Sequence, residues 1–144
     1  MRALLDINVL IALFDADHIF NDRAHSWLEA QSSAGIASCP LVENGLIRIL
    51  SNPNYSKKIR LTPPDIIRRL DGFIARQDHC LIEDSISLTN QGLFDLQHIL
   101  GSKQITDIYL LALAAKHGLK LATFDANINL KAVKNATAAN LEIL

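Results

Sequence analysis

Leu4-Leu5-Asp6-Ile7-Asn8-Val9-Leu10 is the stretch that decides the fold: an apolar run carries directly into an acid, and apolar residues resume after Asn8. Read as a short buried strand over 2–6, the run leaves Asp6 at a strand's carboxyl end, where open α/β sheets hold their ligands. Val9, Leu10, Ala12, Leu13 and Phe14 then suit a short apolar helix. An acid directly after a buried run needs a partner. The rest of the chain must supply it.

The strand-then-helix pattern recurs outward from this stretch. Asn21 or Asp22 can cap a second helix, with Ala24, Trp27 and Leu28 on one face. Residues 36–39 read as a second strand. Pro40 then opens a helix that Ser51-Asn52-Pro53 stops. Residues 54–61 are polar and basic, a loop. Thr62-Pro63-Pro64-Asp65 starts another helix, with Ile66, Leu70 and Phe73 at helical spacing, and residues 80–83 read as a third strand. A helix is predicted over Thr89 to His98, with Leu93, Phe94, Leu96 and Ile99 inward. Thr106 is placed to cap a strongly apolar helix over 107–117, closed by Gly118. Residues 119–124 form a fourth strand ending at Asp125, and 141–144 a last one. Parallel neighbours need crossovers, so strands separated by helices predict an α/β fold with a mainly parallel central sheet flanked by helices.

The bulk properties bound the function. A length of 144 residues fits one domain over 1–144, long enough to bury a core. With 49% hydrophobic and 20% charged residues the chain has a globular composition, not a disordered one. Its net charge of -1 gives no global field for nucleic acid, so binding to an anionic partner must come from local basic patches or bound cations. Cys39 and Cys80 make no disulfide framework and lack zinc spacing, and they read as reduced, mostly buried thiols. No segment nears the ~20 apolar residues of a membrane span, and the amino terminus lacks a signal-peptide core. A cytoplasmic protein is expected.

Four acids fall at element ends. Asp6 and Asp125 follow strands, while Glu43 and Asp107 sit in the opening turns of helices. In a parallel sheet those positions lie on one edge, so acids from distant parts of the chain can converge. Two carboxylates ~4 Å apart repel by about 4 kcal/mol at an effective dielectric of 20. Such a cluster holds a cation or takes up protons. Oxygen-only ligands select hard ions, Mg²⁺ or Mn²⁺ before zinc, and an ion so held supports hydrolysis of a phosphate ester. Each acid also has a plainer reading: Asp107 as a helix-start residue, Glu43 as an exposed first-turn acid, Asp125 as a turn residue beside Ala126-Asn127.

Taken together, Leu4-Leu-Asp6-Ile-Asn8-Val-Leu10, the lone Glu43, Ile105-Thr-Asp107-Ile-Tyr-Leu-Leu-Ala-Leu-Ala114 and Ala122-Thr-Phe-Asp125 resemble the motifs of PIN-domain ribonucleases. More narrowly they resemble the VapC toxins of bacterial toxin–antitoxin pairs. The resemblance spans nearly the whole chain, in motif order, spacing and length. It implies a PIN-like domain and Mg²⁺- or Mn²⁺-dependent endoribonuclease activity. It also implies homodimers and inhibition by a VapB-type antitoxin. Asp6, Glu43 and Asp107 match the family's three principal acids and Asp125 its more variable fourth. Asn8 matches a polar residue near the first acid, and Thr106 and Thr123 match hydroxyls flanking the later ones, as residues that hold the carboxylates. Ile7 departs from the Thr, Ser or Ala common at its position.

Lys57, Lys58 and Arg60 form the densest basic run, and Arg48, Arg68 and Arg69 add charge on nearby helices; the first three and Arg48 are the candidate RNA contacts, with an ordinary solvated surface as the alternative. Tyr55 beside this loop is placed to stack a base, whereas Tyr109 reads as core and Trp27 as core or subunit interface. The five histidines lack metal-ligand spacing and read as surface or satisfied residues. Two rival functions fit Asp6. One is a phosphatase or phosphotransferase using it as nucleophile, which wants a second acid two residues on, where Asn8 stands. The other is a catalytically inactive RNA-binding module of the same fold.

Overall fold

All five strands of the computed structural model, which describes residues 1–58 and 60–144, lie parallel in one sheet of order β3-β2-β1-β4-β5. They are β1 (Ala3–Leu5), β2 (Ile36–Ser38), β3 (His79–Leu81), β4 (Lys120–Thr123) and β5 (Leu141–Ile143). β1 is central and every residue in it is buried, which is why it reads as an unbroken apolar run rather than an alternating one. Its registers, Leu4 with Ala37 on one side and Leu4 with Leu121 on the other, set Asp6 beside the ends of both neighbours.

The chain builds outward from β1 to β2 and β3, then returns to the other side of β1 for β4 and β5. The strand order therefore reverses at the β1–β4 pair. The crevice outside the carboxyl ends at such a reversal is the ligand position of open α/β sheets. Asp6 and Asp125 are the residues that follow those two ends.

Five α-helices cover the sheet among the described residues: α1 (Ile7–Phe14), α2 (Asn21–Gln31), α3 (Pro40–Leu50), α4 (Pro63–Ala75) and α5 (Ile105–Lys116). α4 starts on a capping box, with the Thr62 side chain accepting from Asp65 N and the Asp65 side chain from Thr62 N. α5 buries six apolar residues from Ile108 to Ala114, and Gly118 ends it at φ 66. Gly35 turns α2 into β2 at φ 77. A Cβ there would lie 2.6 Å from Arg2 Nη1 and 2.9 Å from the Asp78 carbonyl, so the turn admits no side chain.

Several local expectations change. The helix expected over 89–98 does not form. Asn90 and Asp95 bind the backbone N–H groups of Gly92 and Gln97 through their side chains, and such bonds compete with a helix. Phe94 instead pairs with Val133 in an isolated antiparallel bridge, and only Leu96–His98 makes a 3₁₀ turn. Phe94 is buried as expected, whereas Leu96 faces solvent. Thr106 is not a cap: a 3₁₀ turn over Ser102–Gln104 runs into α5, which begins at Ile105. Asn21 lies inside α2 rather than capping it, its amide donating to the Ala12 carbonyl of α1 at 2.8 Å. The third strand starts at His79, one residue before its expected position. Cys39 is buried but Cys80 is exposed. Trp27 and Tyr109 are half-buried against the core.

Candidate active site

Asp6 is 3% exposed, and each oxygen of its carboxylate accepts a hydrogen bond. Oδ1 accepts from Ile7 N at 2.6 Å, at the start of α1, and Oδ2 accepts from Thr123 Oγ1 at 2.6 Å. Burial pushes its pKa up, the Thr123 and Ile7 bonds oppose that, and the charge of Asp125 adds to the rise. Asn8 lies one step further along α1. Its amide nitrogen donates to Thr123 Oγ1 at 3.1 Å and its oxygen accepts from Phe124 N at 3.2 Å. Thr123 Oγ1 also accepts from Asp125 N at 3.0 Å. One buried threonine thus joins the end of β1 to the end of β4. Asn8 and Thr123 sit where expected, whereas Thr106 makes no side-chain hydrogen bond among the described residues.

Asp107, in the first turn of α5, completes a carboxylate trio with Asp6 and Asp125. Burial raises its pKa most, followed by the Asp6 charge, a side-chain hydrogen bond with Asp125 and the Asp125 charge, to about 7. Acids brought together without a cation hold protons more tightly, which is the direction of the Asp107 shift. None of the three is in an ion pair with Lys, Arg or His among the described residues. Asp125 also serves its turn, since its Oδ1 accepts from Asn127 N at 2.8 Å. The plainer readings of Asp107 and Asp125 are thus present alongside their convergence.

Glu43 has its side-chain hydrogen bond outside the trio. It lies in the first turn of α3, where Ser38 Oγ donates to its Oε1 at 2.5 Å. His79 Nε2 is 2.7 Å from the same Oγ. The sequence singled out neither Ser38 nor His79. Their meeting depends on the β2–β3 register, Ile36 with His79 and Ser38 with Leu81, which no single-chain pattern displays.

The donor set suits a hard cation. It is oxygen-only, its buried members carry raised pKa values, and it lacks a basic counterpart. Among the described residues no three His, Cys, Asp or Glu side chains stand grouped to hold an ion as they are. An ion taken up here would compete with the proton on Asp107.

The candidate RNA contacts lie on α3 and between α3 and α4. Arg48, Lys57, Lys58 and Arg60 are exposed, and Arg60 Nη1 donates to the Pro53 carbonyl at 2.7 Å. Arg48 follows Glu43 by five residues, about 7.5 Å along the helix axis. Tyr55 is half-buried, with its hydroxyl committed to Asp15 Oδ2 at 2.5 Å, which pins the loop to the end of α1. A second basic cleft of about 290 Å³ lies between α1, α2 and α4, where Arg68, Arg69 and Arg76 rim a floor of Leu13, Phe14 and Phe73. No helix among the described residues is long and apolar enough to cross a membrane.

Comparison with known proteins bears on the family and the fold. The family model described as the PIN domain matches residues 3–134. The chain is 38% identical over 148 aligned residues to Ribonuclease VapC44 of Mycobacterium tuberculosis, with both chains covered in full. It is 37% identical over 126 residues to Ribonuclease VapC38 of the same organism, covering 88% of this chain and 86% of the relative. Among solved structures, the crystal structure of VapBC2 from Rickettsia felis bound to a DNA fragment from their promoter superposes with a TM-score of 0.63 at 20% identity. That match covers 100% of this chain and 99% of the other.

Proposed function

The chain belongs to the PIN-domain family, among its VapC members, and from that premise we propose that it is a Mg²⁺- or Mn²⁺-dependent endoribonuclease, the toxin of a VapBC-type pair. The observation that carries this reading is the convergence of Asp6, Asp107 and Asp125, without a cationic side chain, at the point where the strand order reverses. Asp6 and Asp107 would hold the ion, with Glu43 bound directly or through water and Asp125 completing the acidic pocket. When bound, such an ion supplies an acidified water and offsets charge on the phosphodiester.

The chain's own residues do the rest. Thr123 and Ile7 N fix the Asp6 carboxylate, so its orientation is set before any ligand arrives. Asn8 fixes Thr123 in turn. Asp107, whose pKa is raised by burial and by its acidic neighbours, would give up its proton when positive charge enters. Arg48, Lys57, Lys58 and Arg60 would contact RNA phosphates and set its register without reading bases. A VapB-type antitoxin, a homodimer and a cytoplasmic site of action complete the proposal. The phosphatase alternative is less well supported, because both polar ends of the Asn8 amide are consumed in holding β4.

Purified protein is incubated with a structured RNA and with an aryl phosphate, in Mg²⁺ or Mn²⁺ and in EDTA, alongside Asp6→Asn. RNA cleavage that needs the metal and is lost in the variant is the expected result. Cleavage that survives EDTA sinks the metal nuclease, turnover of the aryl phosphate alone favours the phosphatase, and RNA binding without cleavage favours the inactive module.

A further inference from the structure

Glu43 sits at the end of a chain of donors. Ser38, 3% exposed at the carboxyl end of β2, directs its hydroxyl at Glu43 Oε1. A serine hydroxyl has one proton to give. With that proton committed to Glu43, the 2.7 Å contact from His79 closes only if Nε2 carries a hydrogen and donates it to Ser38 Oγ. The bonds therefore run one way, from His79 on β3 through Ser38 on β2 to Glu43 on α3. Each bond in such a series polarises the next. The other oxygen of Glu43, Oε2, makes no hydrogen bond among the described residues. One oxygen is thus fixed while its twin is left free for a ligand.

We propose that His79 is a positioning residue for Glu43, acting only through Ser38, and that this relay presets Glu43 as a ligand of the divalent ion. The proposal rests on the metal-nuclease reading above. Among the described residues the side-chain hydrogen bond of Glu43 comes from Ser38 and not from an acid of the trio. Its orientation comes instead from a serine and a histidine on the two strands beyond β1. Partners of this kind, standing behind a ligand, commonly change metal affinity about 10–100-fold when removed.

The test titrates Mn²⁺ into the full chain by calorimetry and follows thermal melting of each variant in EDTA. His79→Phe, which removes the donor, is expected to weaken Mn²⁺ binding roughly 10-fold, and His79→Gln, whose amide N–H can donate, to recover most of the loss. Ser38→Ala should weaken binding at least as much, and the double variant Ser38→Ala/His79→Phe no more than Ser38→Ala alone. A merely structural tie between strands would lower the melting temperature of His79→Phe in EDTA while leaving the Mn²⁺ Kd of the folded protein unchanged. That result overturns the proposal, as does an additive loss in the double variant. If the unmodified protein takes up no Mn²⁺, the metal reading itself fails, and the relay's role falls with it.

Discussion

Thr123 Oγ1 donates to Asp6 Oδ2 at 2.6 Å, joining two residues 117 positions apart at the ends of the central strand and its neighbour. The same oxygen accepts from Asn8 and from the backbone of Asp125, so one hydroxyl sets the relative positions of the first acid, its polar neighbour and the last acid. Thr123→Val keeps the shape and removes all three bonds. The buried Asp6 carboxylate loses a donor and the Asn8 amide loses its acceptor. A stability loss of about 1–3 kcal/mol is expected in urea unfolding, with Mn²⁺ affinity down about 10–100-fold. A folded Thr123→Val that binds Mn²⁺ as tightly as the parent would detach this threonine from the site.

Asp107 makes the metal-free protein sensitive to pH. Its pKa rises from 3.8 to about 7, by burial first and then by the charges and hydrogen bond of its acidic neighbours. An acid with a raised folded-state pKa binds more protons folded than unfolded across that interval. Its contribution to stability is therefore greatest at low pH and is lost as pH rises from about 4 toward 7. In EDTA, melting temperature should fall over that window, and the part due to this residue should vanish in Asp107→Asn. Added Mg²⁺ should reverse the trend, raising the melting temperature more at pH 8 than at pH 5.5, because the ion competes with the proton. Equal pH profiles for the parent and Asp107→Asn in EDTA would remove the proton from the site.

The four acids stand out as candidates in the sequence for a simple reason. Asp6 and Asp125 end apolar runs, Glu43 and Asp107 open helices, and a parallel sheet puts all such positions on one edge. What that logic left open is which acids touch. The trio draws on β1, β4 and α5, while Glu43 is tied to Ser38 and His79 through the pairing of β2 with β3. Register depends on three-residue strands with no alternating pattern, so it was invisible in one dimension. The helix expected over 89–98 does not form because the Asx bonds of Asn90 and Asp95 compete with the apolar spacing that favours it. Thr106 looked like a cap by residue type, yet a 3₁₀ turn over Ser102–Gln104 supplies the helix entry before it.

RNA binding should depend on local charge, since the whole chain carries a net charge of only -1. Lys57 and Lys58 are exposed on a loop that the Tyr55–Asp15 bond fastens to α1, the helix that starts at Asp6. Tyr55, two residues before Lys57, is therefore tied to the end of α1. In a cleavage-silent Asp6→Asn background, Lys57→Ala/Lys58→Ala should weaken RNA binding most at low salt. Each phosphate contact removed should flatten the slope of log affinity against log salt by ~0.7 for single-stranded RNA. Two lost contacts flatten it by about 1.4. The loss should be the same on RNAs of different sequence, because phosphate contacts position without reading bases. Parallel salt lines for parent and variant would take both lysines out of the interface. A loss confined to one sequence would make them base readers instead.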